Sequence, residues 1–303
     1  MTGRDRHQLK HGLAFTAPWL LGISIFTLYP VAASLFYSFC DYSILQPPVF
    51  SGLENYNRLF GDDLFWKSLK NTLFYAALSV PLSTAVALSL ALLVNCEVRG
   101  TAFFRAAFYL PSVVPLVASC MIWMWILNGN YGVMNWALSP IVGLFGEKPP
   151  RWLFDPNWSK PALVLMGLWG VGNSMIIYLA GLQDVPKELY EAAEIDGAST
   201  WRQFWHVTLP MLSPVIYFNV IMGIIGSLQV FTQAYVMTST EGGTADGAPA
   251  RSTLFYALYL YSTAFHDLRM GYASAMAGIL FIIIVALTVL ATRWFGKRVH
   301  YGR

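Results

Sequence analysis

Long apolar runs without Asp, Glu, Lys or Arg dominate the chain. These charge-free runs are residues 12–40, 71–96, 106–146, 161–183, 203–240 and 270–292. Each is long enough to cross about 30 Å of hydrocarbon as a helix, which takes about 20 residues. The pattern predicts an all-α polytopic membrane protein with six transmembrane helices, at about 14–38, 71–94, 104–127, 161–183, 211–238 and 270–292.

The distribution of charge predicts the orientation of these spans. An even number of spans places both termini on one side, and a weaker apolar segment at 252–266 is too short to cross, so we expect it at the interface. With the termini inside, eleven basic and seven acidic residues lie inside, against eight and nine outside. The inside basic residues are Arg4, Arg6, Lys10, Arg99, Arg105, Lys187, Arg202, Arg293, Lys297, Arg298 and Arg303. The positive-inside rule therefore predicts cytoplasmic termini, a cytoplasmic segment 1–13 and one transmembrane domain over 14–303.

Composition narrows the class of protein further. The chain is 56% hydrophobic and 12% charged, about half the usual charge content, which excludes a soluble enzyme, a nucleic-acid binder and a secreted disulfide scaffold. Cys40, Cys96 and Cys120 are far apart, so they imply neither a disulfide framework nor a metal site. The apolar run after the basic N-terminus is longer than the roughly 7–15 residues of a signal peptide, which favours an uncleaved first span.

The predicted cytoplasmic connection 184–210 has the pattern of two short helices separated by a turn. Asp184 can cap the first helix, whose first turn tolerates Pro186, and Gly197 ends it. Thr200 begins the second helix, and its spacing to Gln203 is that of a capping box. We name residues 184–210 the coupling segment.

One side of the first predicted helix carries small and acidic residues. Leu189, Ala192, Ala193 and Asp196 share a face at i, i+3 and i+4 spacing, and the alanines permit close approach by another surface. Two readings remain open from the residues alone: a docking site for another protein, or a helix that lies on lipid headgroups.

The coupling segment resembles the cytoplasmic loop of integral membrane subunits of bacterial ATP-binding-cassette importers. That signature is Glu-Ala-Ala, three residues, Gly, nine residues, Ile, one residue and Leu-Pro, and Val207 replaces the Ile here. Further fragments resemble the sugar-transporting branch with the maltose permeases. They are Gly52-Leu53-Glu54-Asn55-Tyr56, Leu110-Pro111 with Pro115, Trp123, Gly132-Val133-Met134-Asn135 and Gly271-Tyr272-Ala273. The branch's Gly-Gly-Pro is absent, since Thr244 follows Gly242-Gly243, which is a departure in the outer loop.

The resemblance implies a permease subunit with the fold of a type I importer transmembrane domain in the bacterial inner membrane. It implies four kinds of partner: a second permease subunit in a heterodimer, two cytoplasmic ATPase subunits, an extracytoplasmic solute-binding protein and the bilayer. ATP and Mg²⁺ would be bound by the ATPase, because this chain contains no GxxxxGK[ST] loop and implies no cofactor or metal of its own. It assigns ATPase coupling to Glu191, Ala192, Ala193, Asp196, Gly197, Leu209 and Pro210.

Two other classes of protein compete with this interpretation. An ion-coupled secondary transporter for a small polar solute usually places an ionisable residue inside its spans, and the charge-free runs offer none. Carbonyls and hydroxyls can also hold Na⁺, so this alternative stays open from the residues. A membrane enzyme would need clustered catalytic groups, and Glu188, Glu191, Glu194 and Asp196 have no His ligand in the same segment.

A polar stripe in the fifth predicted span indicates a path for a hydroxyl-rich ligand. Asn219, Gly223, Gly226, Val230 and Gln233 follow steps of three and four residues, with Ser227 and Gln229 beside them. In the fourth span, Trp169 and Asn173 are i, i+4 neighbours.

In maltose-type permeases the sugar site similarly involves these two spans, at positions matching Trp169, Gly170, Gly223, Gly226 and Ser227. The glycines suggest room for an oligosaccharide or related glycoside. Structural hydrogen bonds between helices are the competing explanation for the amides.

Overall fold

The computed structural model describes residues 3–96, 100–143, 149–238 and 246–296, without the side chains of 3–10 and 141. The helices in these ranges are α1 (Gly3–Ile23), α2 (Tyr29–Tyr37), α3 (Glu54–Phe60), α4 (Asp63–Asn95), α5 (Thr101–Val113), α6 (Leu116–Ile126), α7 (Val133–Gly143), α8 (Ser159–Trp169), α9 (Gly172–Gln183), α10 (Lys187–Ile195), α11 (Thr200–Gln203), α12 (Leu209–Met211), α13 (Ser213–Leu228), α14 (Thr232–Thr238), α15 (Tyr256–Tyr261) and α16 (Met270–Gly296). Single π-helical turns at Ser24–Leu28, Phe204–Thr208 and Ser262–His266 continue α1, α11 and α15. Two strands, β1 (Cys40–Ser43) and β2 (Gln46–Phe50), form an antiparallel hairpin.

Helices long and apolar enough to cross a membrane confirm the predicted class. Three are continuous, at His11–Tyr37, Asp63–Asn95 and Met270–Gly296. Three more candidates are pairs bent by 100° between α5 and α6, by 50° between α8 and α9, and by 65° between Thr200–Met211 and Ser213–Leu228. Counting each bent pair as one span gives up to six within the described residues. The number agrees with the prediction, but half of the spans are broken.

The fifth span differs from the predicted 211–238. Helix α13 ends at Leu228, and a separate short helix, α14, begins at Thr232. At the other end, the candidate span joins Thr200–Met211 to α13 across a 65° bend beside Leu212, which is fully buried. Because Pro214 has no N–H, the chain cannot continue the helical hydrogen bonds of the preceding turn through this position.

The chain divides into two compact units, and the smaller unit contains the described residues of Met1–Asp62 and Leu260–Ile282. Its hairpin β1–β2 is an addition to the predicted all-α class. Pro47 and Pro48 were expected in a turn and lie instead in β2, whose side chains are all exposed, as suits proline on an edge strand. Buried Asn55 fixes the hairpin by donating from Nδ2 to the Ser38 and Cys40 carbonyls, at 3.0 and 2.8 Å.

The larger unit contains the described residues of Asp63–Tyr259 and Ile283–Arg303. Its centre is α4, which contacts α8, α9 and α13. Gly172, at the start of α9, permits a close crossing with α5, since a Cβ there would lie 2.8 Å from the Phe108 carbonyl oxygen. The small residues of the fourth span thus pack within the chain at this point. The division into two units leaves the single domain over 14–303 a prediction.

Some sequence predictions concern residues outside the described ranges. These are the outer-loop departure at Gly242, Gly243 and Thr244 and the basic residues Arg99, Lys297, Arg298 and Arg303.

Candidate functional site

The first helix of the coupling segment is α10, and its beginning differs from the prediction. Asp184 is the C-cap of α9, where its backbone N–H donates to the Ala180 carbonyl. Pro186 is the N-cap of α10 and makes no side-chain capping bond. Proline without an N–H suits a helix start, so the residue predicted inside the first turn defines the boundary. Only three residues separate α9 from α10.

Gly197 ends α10 as predicted, although for a different physical reason from a steric one. Its φ is +73°, and a Cβ there would meet nothing within 4 Å. The Ala198 N–H donates to the Ala193 carbonyl and the Gly197 N–H to the Glu194 carbonyl, both at 2.9 Å, which is the Schellman arrangement. Glycine is favoured here by left-handed backbone conformation, not by lack of space.

The second helix of the coupling segment begins one residue earlier in its capping than predicted. Ser199 is the N-cap, and the capping box between Thr200 and Gln203 does not form. Instead Gln203 Nε2 donates to the Ala198 carbonyl at 3.4 Å. A hydrogen bond between Tyr190 Oη and Thr208 Oγ1, at 3.0 Å, joins the two helical parts.

The predicted coupling residues form an exposed surface. Glu191, Ala192 and Asp196 are exposed, as are Leu189 and Ile195, the latter with 87% of its surface accessible. Ala193, Leu209 and Pro210 are half-buried beneath that surface. The structure therefore presents a small, acidic and partly apolar helix face at the end of a membrane span.

Two adjoining cavities contain eight of the nine predicted substrate-path residues. The first cavity, of about 430 Å³, lies between α4, α8, α13 and the start of α14. Its lining includes Gly223, Gly226, Ser227, Gln229 and Gln233. The second cavity, of about 380 Å³, is lined by Trp169, Gly170 and Asn173, together with Gln233 again.

Leu116, Gly167 and Gln233 line both cavities and so lie at their junction. All lining residues of both cavities are uncharged. Trp169 also packs edge-on against Trp123, with ring centroids 6.2 Å apart. The arrangement offers amides, hydroxyls and one aromatic face, which can hydrogen-bond a neutral polar ligand.

Asn219 is the predicted path residue that the structure does not bring to these cavities. Its Nδ2 donates to the Val215 carbonyl of its own helix at 3.0 Å. The i, i+4 stripe was correct for a continuous helix, but the amide is used locally, as short polar side chains in helices often are.

Sequence reasoning missed the contribution of α4 and α5. Tyr75, Ser79 and Ser83 of α4 line the first cavity, and Ser112 of α5 lines the second. Ser79 Oγ is buried and makes no hydrogen bond within the described residues. The signal was present, because Tyr75, Ser79 and Ser83 recur every four residues and therefore share a helix face.

These features define an α-helical, multi-pass membrane protein with uncharged cavities between its helices. The chain belongs to the family described as binding-protein-dependent transport system inner membrane component, whose family model matches residues 69–301. It is therefore a membrane component of such a transport system.

Relatives with similar sequences extend over almost the whole chain. A probable ABC transporter permease protein of Bacillus subtilis, YesP, is 40% identical and is matched over 96% of this chain and 92% of its own. The lactose transport system permease protein LacF of Rhizobium radiobacter is 38% identical, over 96% and 97%. The sulfoquinovosyl glycerol transport system permease protein SmoG of Agrobacterium fabrum is 34% identical, over 91% and 87%.

A solved structure is similar in fold. It is a bacterial ABC transporter involved in the import of the acidic polysaccharide alginate, with a TM-score of 0.81. The match covers 97% of this chain and 98% of the other, at 23% identity. It supports the predicted importer transmembrane fold.

Proposed function

We propose that the chain is the permease subunit of an ATP-driven sugar importer that takes its substrate from a solute-binding protein. The observation that carries the proposal is the exposed face of α10 at the end of a membrane span. Exposed Leu189 and Ile195 beside Glu191 give an apolar surface with an acidic residue on it. Such a mixed surface is typical of a protein docking site.

The occupant of this face would be a cytoplasmic ATPase. A second, similar permease would complete the membrane part, two ATPase subunits would bind ATP and Mg²⁺, and a binding protein would deliver the sugar outside. Both termini and the coupling segment would then be cytoplasmic. The match to a binding-protein-dependent transport family supports this arrangement.

Sugar is the substrate class that the relatives and the cavities support together. LacF is described as a lactose transport permease and SmoG as a sulfoquinovosyl glycerol transport permease. The first and second cavities present uncharged hydrogen-bonding groups, which can bind hydroxyls and release them again. Their joined volume suits an oligosaccharide or related glycoside.

A physical connection runs from the coupling segment to the cavities. Gly181 in α9 lies directly against α13, since a Cβ there would be 2.9 Å from Val215 Cγ2 and 3.0 Å from Leu212 Cδ2. Asn173 at the other end of α9 lines the second cavity, and Gly223 in α13 lines the first. A displacement of α10 by the ATPase would therefore move two cavity walls together.

The test is reconstitution with the ATPase, partner permease and binding protein. Glu191→Ala should weaken ATPase recruitment at least about tenfold, since losing one partner of a buried interfacial charge pair costs about 2–5 kcal/mol. Glu188→Ala, on the same exposed helix, is the matched control and should bind normally. ATP hydrolysis by this chain alone, or uptake driven by an ion gradient without ATP, would contradict the proposal.

A further inference from the structure

Four cationic residues converge at one end of α4 and α8. Lys67 and Lys70 lie one turn apart on α4, Lys160 lies in the first turn of α8, and Arg251 lies in the preceding loop of α15. Lys160 Nζ donates to Asn71 Oδ1 at 3.2 Å, and Asn71 Nδ2 donates to the Arg251 carbonyl at 3.0 Å. Lys67 Nζ donates to the Ala250 carbonyl at 2.8 Å. We name Lys67, Lys70, Lys160 and Arg251 the cation cluster.

The scaffold that holds the cation cluster is rigid. Asn71 is buried, and its amide also donates to the Leu254 carbonyl at 3.1 Å. Ser159 and Ser252 are buried beside it, with their Oγ atoms 2.7 Å apart. Lys160 Nζ also lies 5.3 Å from the centre of the Phe74 ring. The ammonium positions are therefore fixed by buried polar contacts instead of being spread over a mobile surface.

The charges of the cation cluster are not neutralised nearby. Within the described residues, the ion pairs found are Arg58 with Glu54 and His266 with Asp267, neither of which involves the cluster. An ammonium has three donors, and Lys67 and Lys160 each use one of them in the hydrogen bonds described above. Like charges held together without an anion repel each other, so bound anion would stabilise the arrangement.

The cation cluster also lies beside the first cavity. Asn71 and Lys160 precede Tyr75 and Val164 by four residues on the same helices, and both of the latter line that cavity. One helical turn, about 6 Å of axial rise, therefore separates the cluster from the cavity wall. In the proposed orientation the cluster lies at the outer ends of α4 and α8, where a ligand would enter.

The geometry points to a carboxylate-binding site at the entrance of the first cavity, so that the glycoside carried by the protein is an acidic one, bearing uronate groups. This inference rests on the proposed function and specifies its substrate class. A ligand carboxylate would accept hydrogen bonds from Lys160 and from Lys67 or Lys70 before the neutral rings reach the uncharged cavity. The same chemistry would also suit a lipid phosphate, which the experiment must separate.

The test measures binding to the assembled transporter in nanodiscs of phosphatidylcholine at low salt. The probes are trigalacturonate and the neutral trisaccharide galactotriose. We expect the acidic probe to bind at least about tenfold more tightly, and Lys67→Gln, Lys70→Gln and Lys160→Gln combined to remove that preference. Lys67→Arg with Lys70→Arg preserves charge and should keep it. Arg58→Gln is the control, since Arg58 is exposed outside the cluster.

Each other outcome overturns the inference. Equal binding of the two probes, or no binding of either, would exclude an acidic-sugar site. Loss of trigalacturonate binding when phosphatidylglycerol is added would identify lipid phosphate as the occupant. If the glutamine variants instead only raise the binding-protein concentration needed for ATPase stimulation, the cluster would be a protein docking surface. That stimulation also tests the importer itself, so failure of the two proposals can be distinguished.

Discussion

Tyr190 Oη and Thr208 Oγ1 lie 3.0 Å apart and connect the two helical parts of the coupling segment. Thr208 is buried, whereas α10 itself has no buried residue. The exposed docking helix is therefore tied to the rest of the molecule by one hydrogen bond besides its chain connections and the turn at Gly197.

Tyr190→Phe removes this hydrogen bond and leaves the ring in place. Because a single intramolecular hydrogen bond contributes about 0.5–1.5 kcal/mol, we expect about a two- to tenfold loss of coupling between ATP hydrolysis and uptake. The measurement is sugar imported per ATP hydrolysed in proteoliposomes. Tyr217→Phe removes a comparable bond to Thr292 outside the coupling segment and should leave that ratio unchanged.

Replacement of Gly197 tests the conformational explanation for this glycine. Gly197→Ala should destabilise the end of α10 by about 1 kcal/mol and weaken ATPase recruitment, because φ is +73°. Gly197→Asn should be milder, since Asn tolerates the left-handed region better. Equal loss in both variants, measured by ATPase co-purification, would indicate that side-chain volume matters instead.

Substitution of Gln233 tests the sugar path. Gln233 lines both cavities, so Gln233→Ala should lower transport several-fold and change selectivity between sugars of different length. Asn219→Ala is the matched control, because its amide bonds its own helix and lines neither cavity. Uptake kinetics with a loaded binding protein provide the measurement. Identical kinetics in Gln233→Ala and the original protein would exclude the path assignment.

Enlarging Gly181 tests the contact between α9 and α13. Gly181→Val would force a side chain into Leu212 and Val215, and overpacking of this kind costs about 1–3 kcal/mol. We expect a lower thermal unfolding midpoint for the purified protein and slower transport. Gly296→Val, at the end of α16 where a Cβ meets nothing within 4 Å, should change neither. Normal stability in Gly181→Val would show that the two helices separate easily.

The sequence was sufficient for the class of fold and for the coupling segment. Hydropathy finds membrane-spanning runs because lipid demands apolar side chains over a fixed length. The turn at Gly197 was predictable because few residues other than glycine adopt positive φ readily. The eight path residues that line the cavities followed from helix periodicity and the family resemblance.

Helix breaks were not predictable from the same pattern. A charge-free run measures hydrophobicity and carries no information on whether the helix is continuous, so 106–146 gave no sign of the 100° bend. Val114, extended before Pro115, marks that break, as residues before proline often do. The edge strand at Pro47 and the local bond of Asn219 depend on tertiary contacts and backbone partners that spacing alone does not specify.

The bends between α5 and α6 and between α8 and α9 have a consequence for recognition. Pro111, Ser112 and Val114 at the first break and Gly167 and Gly170 at the second line the second cavity. A broken membrane helix leaves N–H and C=O groups without helical partners, and these are tolerated at membrane depth only within protein or beside a water-filled space. A bound sugar would therefore meet peptide groups as well as side chains. Alanine scanning leaves those groups untouched, so part of the selectivity should survive every side-chain substitution and change only when the backbone is moved.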